Sequence, residues 1–289
     1  MRISVLINNH NYGRYLGEAV ESASLQVLAP HEVIVVDDGS TDDSRSILDS
    51  MQRKNPALVC HRQENMGQLA ALRAGAERAT GEWCALLDSD DTWTSRHLDV
   101  LRETRNRHPD IGIYFSGHTE TEGPALYRTV WPPVPLGPVP AFVAATGLRV
   151  GSITSAICLR TDLLREIVAA TRPLEAEWRT RADDVIIYGA ALSAARLFHG
   201  DTPTVRYRIH GANNFAGKNN RDAQNEHRLR RERVIDVLRT RYGMNEKNLL
   251  PLLMAEWRCQ RATAPEALRK RYRRGLRTRS LRAWLASFL

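Results

Sequence analysis

The 289-residue chain has only four lysines, Lys54, Lys218, Lys247 and Lys270, and only four cysteines, Cys60, Cys84, Cys158 and Cys259. The cysteines are far apart, make no C-x-x-C pair and have no histidine at metal-ligand spacing. That argues against a disulfide framework or a zinc site, and leaves reduced thiols, mostly buried in the core. Long apolar runs are also missing. The longest are short, as in Val33–Val36, or broken by Pro251, as in Leu249–Met254, against the roughly 18 to 20 residues that a bilayer crossing takes. Met1-Arg2 passes straight into a strand-like run, Ile3–Ile7, with no leader-like hydrophobic region and no small-residue cleavage site, so a cytoplasmic location is expected. There is no internal repeat and no low-complexity segment.

What is present suits a soluble globular protein of one large domain, or of one domain plus an appendage. The chain is 43% hydrophobic and 26% charged, with a mean hydropathy of −0.40. The formal net charge of +8 conceals an asymmetry. Residues 1–220 hold 23 Lys plus Arg against 26 Asp plus Glu, a net of −3, whereas 221–289 hold 18 against 7, a net of +11. The basicity belongs to the tail, and the front of the chain gives no reason to expect nucleic acid.

The first 116 residues alternate short β-branched runs with helix-like stretches, the pattern of an open, mostly parallel sheet covered by helices. Strands are expected at Ile3–Ile7, Glu32–Val36, Leu58–Arg62, Trp83–Leu87 and Ile111–Phe115, and helices at Arg14–Gln26, Asp43–Lys54, Gln68–Ala79 and Ser95–His108. Asp42 or Thr41 is expected to cap the second helix and Thr94 or Ser95 the fourth. From Gly117 to Pro140 six prolines make a long helix improbable, and an irregular lid or acceptor wall is expected there. Regular structure resumes at Ser152–Leu159, with helices near Thr161–Ala170 and Asp183–Ala195 and a strand at Thr204–Ile209. After Asn220 the chain reads as helices: Ala223–Tyr242, Leu249–Gln260 and Pro265–Phe288.

In open α/β sheets ligands sit at the carboxyl ends of the strands. Three strands here end in polar clusters: Asn8-Asn9-His10-Asn11-Tyr12-Gly13, Asp37-Asp38-Gly39-Ser40 and Asp88-Ser89-Asp90-Asp91. One such cluster alone reads as a helix cap; three together read as a site. Asp88 and Asp90, at i and i+2 on a turn, repel as unpaired anions, and a hard cation such as Mg²⁺ or Mn²⁺ relieves that repulsion while holding diphosphate oxygens.

The order and spacing of Ser4–Tyr12, Val33–Asp42, Glu64–Gln68 and Gly81–Asp91 resemble those of family 2 glycosyltransferases, which have the nucleotide-diphospho-sugar transferase fold called GT-A. The resemblance covers roughly residues 2–215, and divides the chain into a catalytic domain, 1–215, and a basic, mainly helical region, 216–289. It implies that Asn8, Asn9 and His10 form the nucleoside cradle with Asp38, which accepts from the base imide, and that Asp88 and Ser89 lie against the nucleotide sugar. Asp90 is then the direct metal ligand, with Asp88 and Asp91 sharing that role. Asp183-Asp184 matches the family's acidic pair at a helix start, so Asp184 is the expected general base and Asp183 the residue that touches the acceptor. Tyr207–Asn214 resembles the late strand that ends in a histidine, making His210 a third protein ligand to the metal or a diphosphate contact. The implied chemistry is metal-dependent transfer of one sugar, with inversion, from a UDP-sugar to a hydroxyl in cell-surface polysaccharide, lipopolysaccharide or glycolipid synthesis. Departures are His10 where a stacking tyrosine is common, Asn8-Asn9 for Pro-Thr, and Arg73 for Asn. The Gln-x-x-Arg-Trp pattern of processive synthases is absent.

Leu86–Thr92 also resembles the opening motif of haloacid-dehalogenase phosphatases, but their chemistry needs a lysine before a second acidic pair, and none lies between Thr92 and Asp183. A third reading is a non-catalytic nucleotide-sugar-binding protein. In the tail, residues 265–289 carry eight Lys plus Arg against Glu266 alone, with Leu268, Tyr272, Leu276, Leu281, Trp284, Leu285 and Phe288 along one stripe. This suits an anionic membrane surface on the inner face of the membrane, or equally a stripe packed on the protein's own domain.

Overall fold

The computed structural model describes residues 1–55, 57–120, 126–127, 135–210 and 221–279. A sheet of ten strands runs through the molecule: β1 (Ile3–Asn9), β2 (Glu32–Asp38), β3 (Leu58–Gln63), β4 (Trp83–Asp88), β5 (Thr92–Trp93), β6 (Ile111–Glu120), β7 (Leu126–Tyr127), β8 (Pro135–Leu136), β9 (Ile157–Arg160) and β10 (Arg196–Tyr207). The helices are α1 (Gly13–Ser24), α2 (Ser44–Lys54), α3 (Gln68–Arg78), α4 (His97–Arg107), α5 (Pro140–Thr146), α6 (Thr161–Ala170), α7 (Ala182–Leu192), α8 (Arg221–Arg241), α9 (Glu246–Gln260) and α10 (Glu266–Arg279). The strand order is β3-β2-β1-β4-β9-β6-β10-β5, with β7 on β6 and β8 on β10. Strands β3, β2, β1 and β4 are parallel, as are β6 and β10, and β9 lies antiparallel between β4 and β6.

Burial on both faces explains the unbroken apolar character of β1 and β2. Val5, Ile7 and Val35 face a cluster with Leu16, Leu48 and Leu98 from α1, α2 and α4. Leu6, Ile34 and Val36 face the other cluster, which takes in α3, α6, α7 and the C-terminal helices.

The expected elements of the first 116 residues form. The caps differ in part. Asp43, not Asp42 or Thr41, stands at the N-cap of α2, without a side-chain bond; Asp42, just before it, accepts from the Ser44 and Gly13 amides at 3.0 and 2.8 Å and ties the starts of α1 and α2 together. Neither Thr94 nor Ser95 caps α4; Arg96 stands at its N-cap without a side-chain bond.

Two stretches depart further. The segment read as irregular carries the end of β6, then β7, β8 and the start of α5, with 121–125 and 128–134 outside the described residues. Strand β10 begins eight residues before the expected Thr204, because Gly200–Pro203 reads as a turn yet is absorbed as register shifts against β6.

The three C-terminal helices share the hydrophobic cluster of the sheet's second face, through Val234, Leu253, Trp257 and Leu268 among others. Leu268, Tyr272 and Leu276 are 0% exposed, and the Tyr272 ring lies 4.4 Å from that of Phe142 in α5. The first three residues of that stripe are therefore spent on the protein's own core. Leu281, Trp284, Leu285 and Phe288 lie outside the described residues, as does the 215/216 division. No described helix is long and apolar enough to cross a membrane. Cys84 and Cys158 are buried as expected, whereas Cys60 is half-buried and Cys259 exposed.

Glu256 of α9 joins these helices. Its carboxyl accepts from the Ala141 and Phe142 amides, at 2.8 and 3.0 Å, at the start of α5, and from the Tyr272 hydroxyl of α10. Pro140 has no N–H, so Glu256 meets the first donors that α5 presents. Glu256→Ala strands all three donors and is expected to cost about 3 kcal/mol in urea unfolding, with the cooperativity of the transition retained.

Candidate active site

The parallel registers line up the strand ends. Asn8 sits beside Asp88 across β1 and β4, and Asn9 beside Asp37 across β1 and β2. These ends open into a cavity of about 460 Å³. Asn8, Asn9, His10, Asp38, Asp88, Ser89 and Asp90 all line it, as do Gln68, Arg149 and Asp183.

At one part of the wall, Asn9 donates to Asp37 at 2.9 Å and His10 Nδ1 lies 2.8 Å from the Asp38 carbonyl. The Asp38 carboxylate accepts from Gln63 Nε2 and from the Met66 and Gly67 amides at 2.7–2.8 Å. It thereby folds the 63–67 loop over the cavity, using about three of its four lone-pair positions. Gly67 has φ +95, and a Cβ there would lie 2.6 Å from the Arg179 backbone, so only glycine fits. Both side-chain polar atoms of Asn8 and the Ser89 hydroxyl are buried with no partner among the described residues.

The turn after β4 is built on Ser155, whose hydroxyl accepts from the Asp88 amide at 3.1 Å and donates to Asp91 at 2.5 Å. Oxygen atoms of Asp88, Asp90 and Asp91 lie within 4.8 Å of one another. Burial, followed by repulsion from Asp90 and Asp91, holds the Asp88 carboxyl well above the usual range. Burial and then Asp90 push Asp91 up to about 7. The same field, added to burial, raises Tyr12 and Tyr207 to about 12. His210 Nε2 stands 3.1 Å from Asp90 Oδ2. Asp91 is 1% exposed, with its second oxygen taken by the Arg208 amide at 2.9 Å, so it anchors the turn from behind.

Asp183 and Asp184 fall in the first turn of α7, where the helix dipole favours negative charge. Arg149 grips both, with its Nη2 2.5 Å from Asp183 and its Nε on Asp184. Arg181 Nη2 and His227 Nε2 each lie 3.1 Å from Asp184 Oδ2, an oxygen with no well-aligned hydrogen bond. Burial favours protonation of Asp184, but the His227 contact and the charges of Arg149 and Arg181 outweigh it and hold the carboxyl at about 2. Asp183 shifts the opposite way, raised by burial and by the charge of Asp184. Asp183 faces the cavity, whereas Asp184 is 1% exposed and sits behind it.

Residues 4–164 match the family described as Glycosyl transferase family 2. This chain belongs to that family. A glycosyltransferase of Nostoc sp., itself uncharacterized, is 32% identical over 74% of this chain and 66% of its own length, so the match spans just under two thirds of that relative. In fold, the chain resembles Staphylococcus aureus TarS 1–349 in complex with UDP-GlcNAc, with a TM-score of 0.65 and 17% identity over 96% of this chain and 80% of that one. It also resembles the mannosyltransferase PcManGT of Pyrobaculum calidifontis in complex with GDP-Man and Mn²⁺, with a TM-score of 0.54 and 15% identity over 91% and 76%. The expected GT-A architecture is the one observed.

The family match takes in the three strand-end motifs and stops short of Asp183, Asp184 and His210. Sequence alone gives no role to Gln68, at the end of the Glu64–Gln68 motif, to Arg181, beside the acidic pair, or to Arg149 and His227, which stand outside any local motif. Gln68 is the link between the two acidic groups: its Nε2 donates to Asp88 at 3.1 Å and its Oε1 accepts from the Ala182 amide at 3.0 Å. Arg73, where an asparagine is commoner, bonds Glu175 at 2.5 Å and ties α3 to the segment before α7.

Proposed function

We propose that this family 2 chain transfers one sugar, with inversion, from a nucleotide-diphospho-sugar, a UDP-sugar first among candidates, to an acceptor hydroxyl. The observation that carries the reading is that one cavity is lined both by the Asp88–Asp90 turn and by Asp183 at the start of α7. The unpartnered Asn8 amide and Ser89 hydroxyl give a donor nucleotide its hydrogen bonds, with Asp38, Asn9 and His10 around it. The crowded carboxylates and the imidazole of His210 suit Mn²⁺ or Mg²⁺, which Asp88, Asp90 and His210 would hold, with Asp91 behind them. That cation supplies neutralising charge to the departing diphosphate.

The remaining work falls to the chain. Asp184, ionised down to about pH 2, takes the acceptor proton. Asp183 orients the hydroxyl from the cavity side, and Arg149 keeps the two carboxylates together. We place the acceptor among the glycans or lipid-linked precursors of cell-surface polysaccharide, lipopolysaccharide or glycolipid, and the enzyme in the cytoplasm, peripheral to the membrane. With the α10 stripe buried, it is exposed Lys270, Arg274 and Arg277 that would meet anionic headgroups.

The test is a screen of UDP-, GDP- and dTDP-sugars with Mn²⁺ or Mg²⁺, read by thermal shift and by nucleoside diphosphate release. One nucleotide class is expected to stabilise the chain only when metal is present and to turn over with inverted anomeric configuration by NMR. Metal-dependent binding with no turnover across a broad acceptor panel would instead make this a nucleotide-sugar sensor.

A further inference from the structure

We infer that His227, on α8 of the C-terminal region, is a positioning residue that holds Asp184 in its catalytic orientation, so that the helical tail is a working part of the active centre. The inference rests on the transferase reading above. His227 Nε2 lies 3.1 Å from Asp184 Oδ2, and the ring is itself held. Its edge meets the fully buried Trp178 ring at 5.9 Å and 78°, and Arg230, one turn along α8, covers that indole at 4.5 Å. Arg230 also donates to the Thr180 carbonyl at 3.0 Å.

Trp178 and Thr180 belong to the turn that launches α7, and Arg181 at its end adopts φ +63, a left-handed conformation that a side-chain-bearing residue keeps only when its surroundings impose it. Helix α8 therefore grips the turn by its indole and a carbonyl, and grips the carboxylate through the imidazole. From the other side Gln68 binds the same turn, its amide donating to the Arg179 carbonyl at 2.9 Å.

The groups around Asp184 are Arg149, Arg181, Asp183 and Tyr188, with His227 and Arg230 from α8. Two arginines remain if His227 is removed, so the carboxylate keeps counter-charge. What is lost is the close approach of Nε2 to Oδ2, and with it the part of Asp184's acidity that His227 supplies against burial.

The experiment compares His227→Leu, which keeps apolar contact with Trp178, with His227→Gln, which restores a terminal N–H donor. Three quantities are read: UDP release from the UDP-sugar selected in the screen, UDP affinity by calorimetry with Mn²⁺, and the Asp184 carboxyl titration by ¹³C NMR. His227→Leu is expected to lower kcat about tenfold or more with UDP affinity within about twofold. It should also raise the Asp184 midpoint by about one pH unit. His227→Gln is expected to recover most of each. An unmoved midpoint with unchanged kcat overturns the proposal, and so does equal impairment of the two variants. If the wild-type chain turns over no sugar, the transferase reading fails on its own. The carboxyl titration then decides this inference: a midpoint that rises in His227→Leu upholds the hold on Asp184, and one that stays put overturns it.

Discussion

Asp184→Asn is expected to lower turnover by about 10³-fold, within the range that a positioned general base contributes, with UDP affinity nearly unchanged. Asparagine keeps the shape of the side chain and loses the capacity to take a proton. Its cost to the fold is separable: Arg149 and Arg181 lose a counter-charge, so the melting temperature falls, while donor binding, which we assign to Asn8, Asp38 and the β4 turn, reports whether the cavity is intact. Asp183→Asn is expected to lower kcat less, by about 10- to 100-fold, and to raise the acceptor KM, because Asp183 faces the cavity, where it is proposed to orient the hydroxyl. The order of the two losses is the decisive quantity. A larger loss in kcat for Asp183→Asn would move the base to the more exposed carboxylate.

Asp90→Asn is expected to show two effects of opposite sign. Turnover falls by about 100-fold or more, since a bound cation contributes several kcal/mol to a developing negative charge, and Mn²⁺ no longer shifts the melting temperature. In metal-free buffer the same variant is expected to be more stable than the wild type by about 1 kcal/mol, because Asp90 is a leading source of the repulsion on Asp88 and Asp91. Differential scanning calorimetry with and without EDTA reads both. Stability lost in metal-free buffer would mean that the Asp90–His210 contact outweighs the relief of repulsion.

The legible parts of this fold are those whose signal is local. The parallel strands β1, β2 and β4 are short apolar runs that each end in a polar cluster, and the sheet topology brings those ends together, so Asn8, Asp38, Asp88 and Asp90 could be named from sequence and motif alone. The lid-like segment was obscured by its prolines: Pro140 reads as a breaker but occupies the first turn of α5, where a missing N–H costs nothing. The start of β10 was hidden by Gly200–Pro203, which a bulged strand tolerates. The contacts of Gln68, Arg149 and His227 were invisible for a different reason. Each acts on a group far along the chain, 114, 35 or 43 residues away, through contacts that no spacing rule encodes. The tail stripe showed the limit of pattern in its plainest form, since an amphipathic helix looks the same whether its apolar face meets lipid or, as Leu268 and Tyr272 do, its own protein.

Strand β9 carries a consequence for how the molecule is made. It is four residues long and is the piece that joins the parallel block β3-β2-β1-β4 to the β6-β10 pair. As the chain leaves the ribosome, the first block can close on itself by residue 88, but β6 has no route to it until residue 160 has emerged. Until then β4 presents a bare edge, with Cys84 and Ala85 unpaired on that side. The acidic turn is finished only when Ser155 arrives to bond the Asp88 amide and the Asp91 carboxylate, shortly before its counterpart on α7. Pairings this far apart in sequence form slowly, and a chain interrupted after β6 would leave the β4 edge that β9 covers exposed.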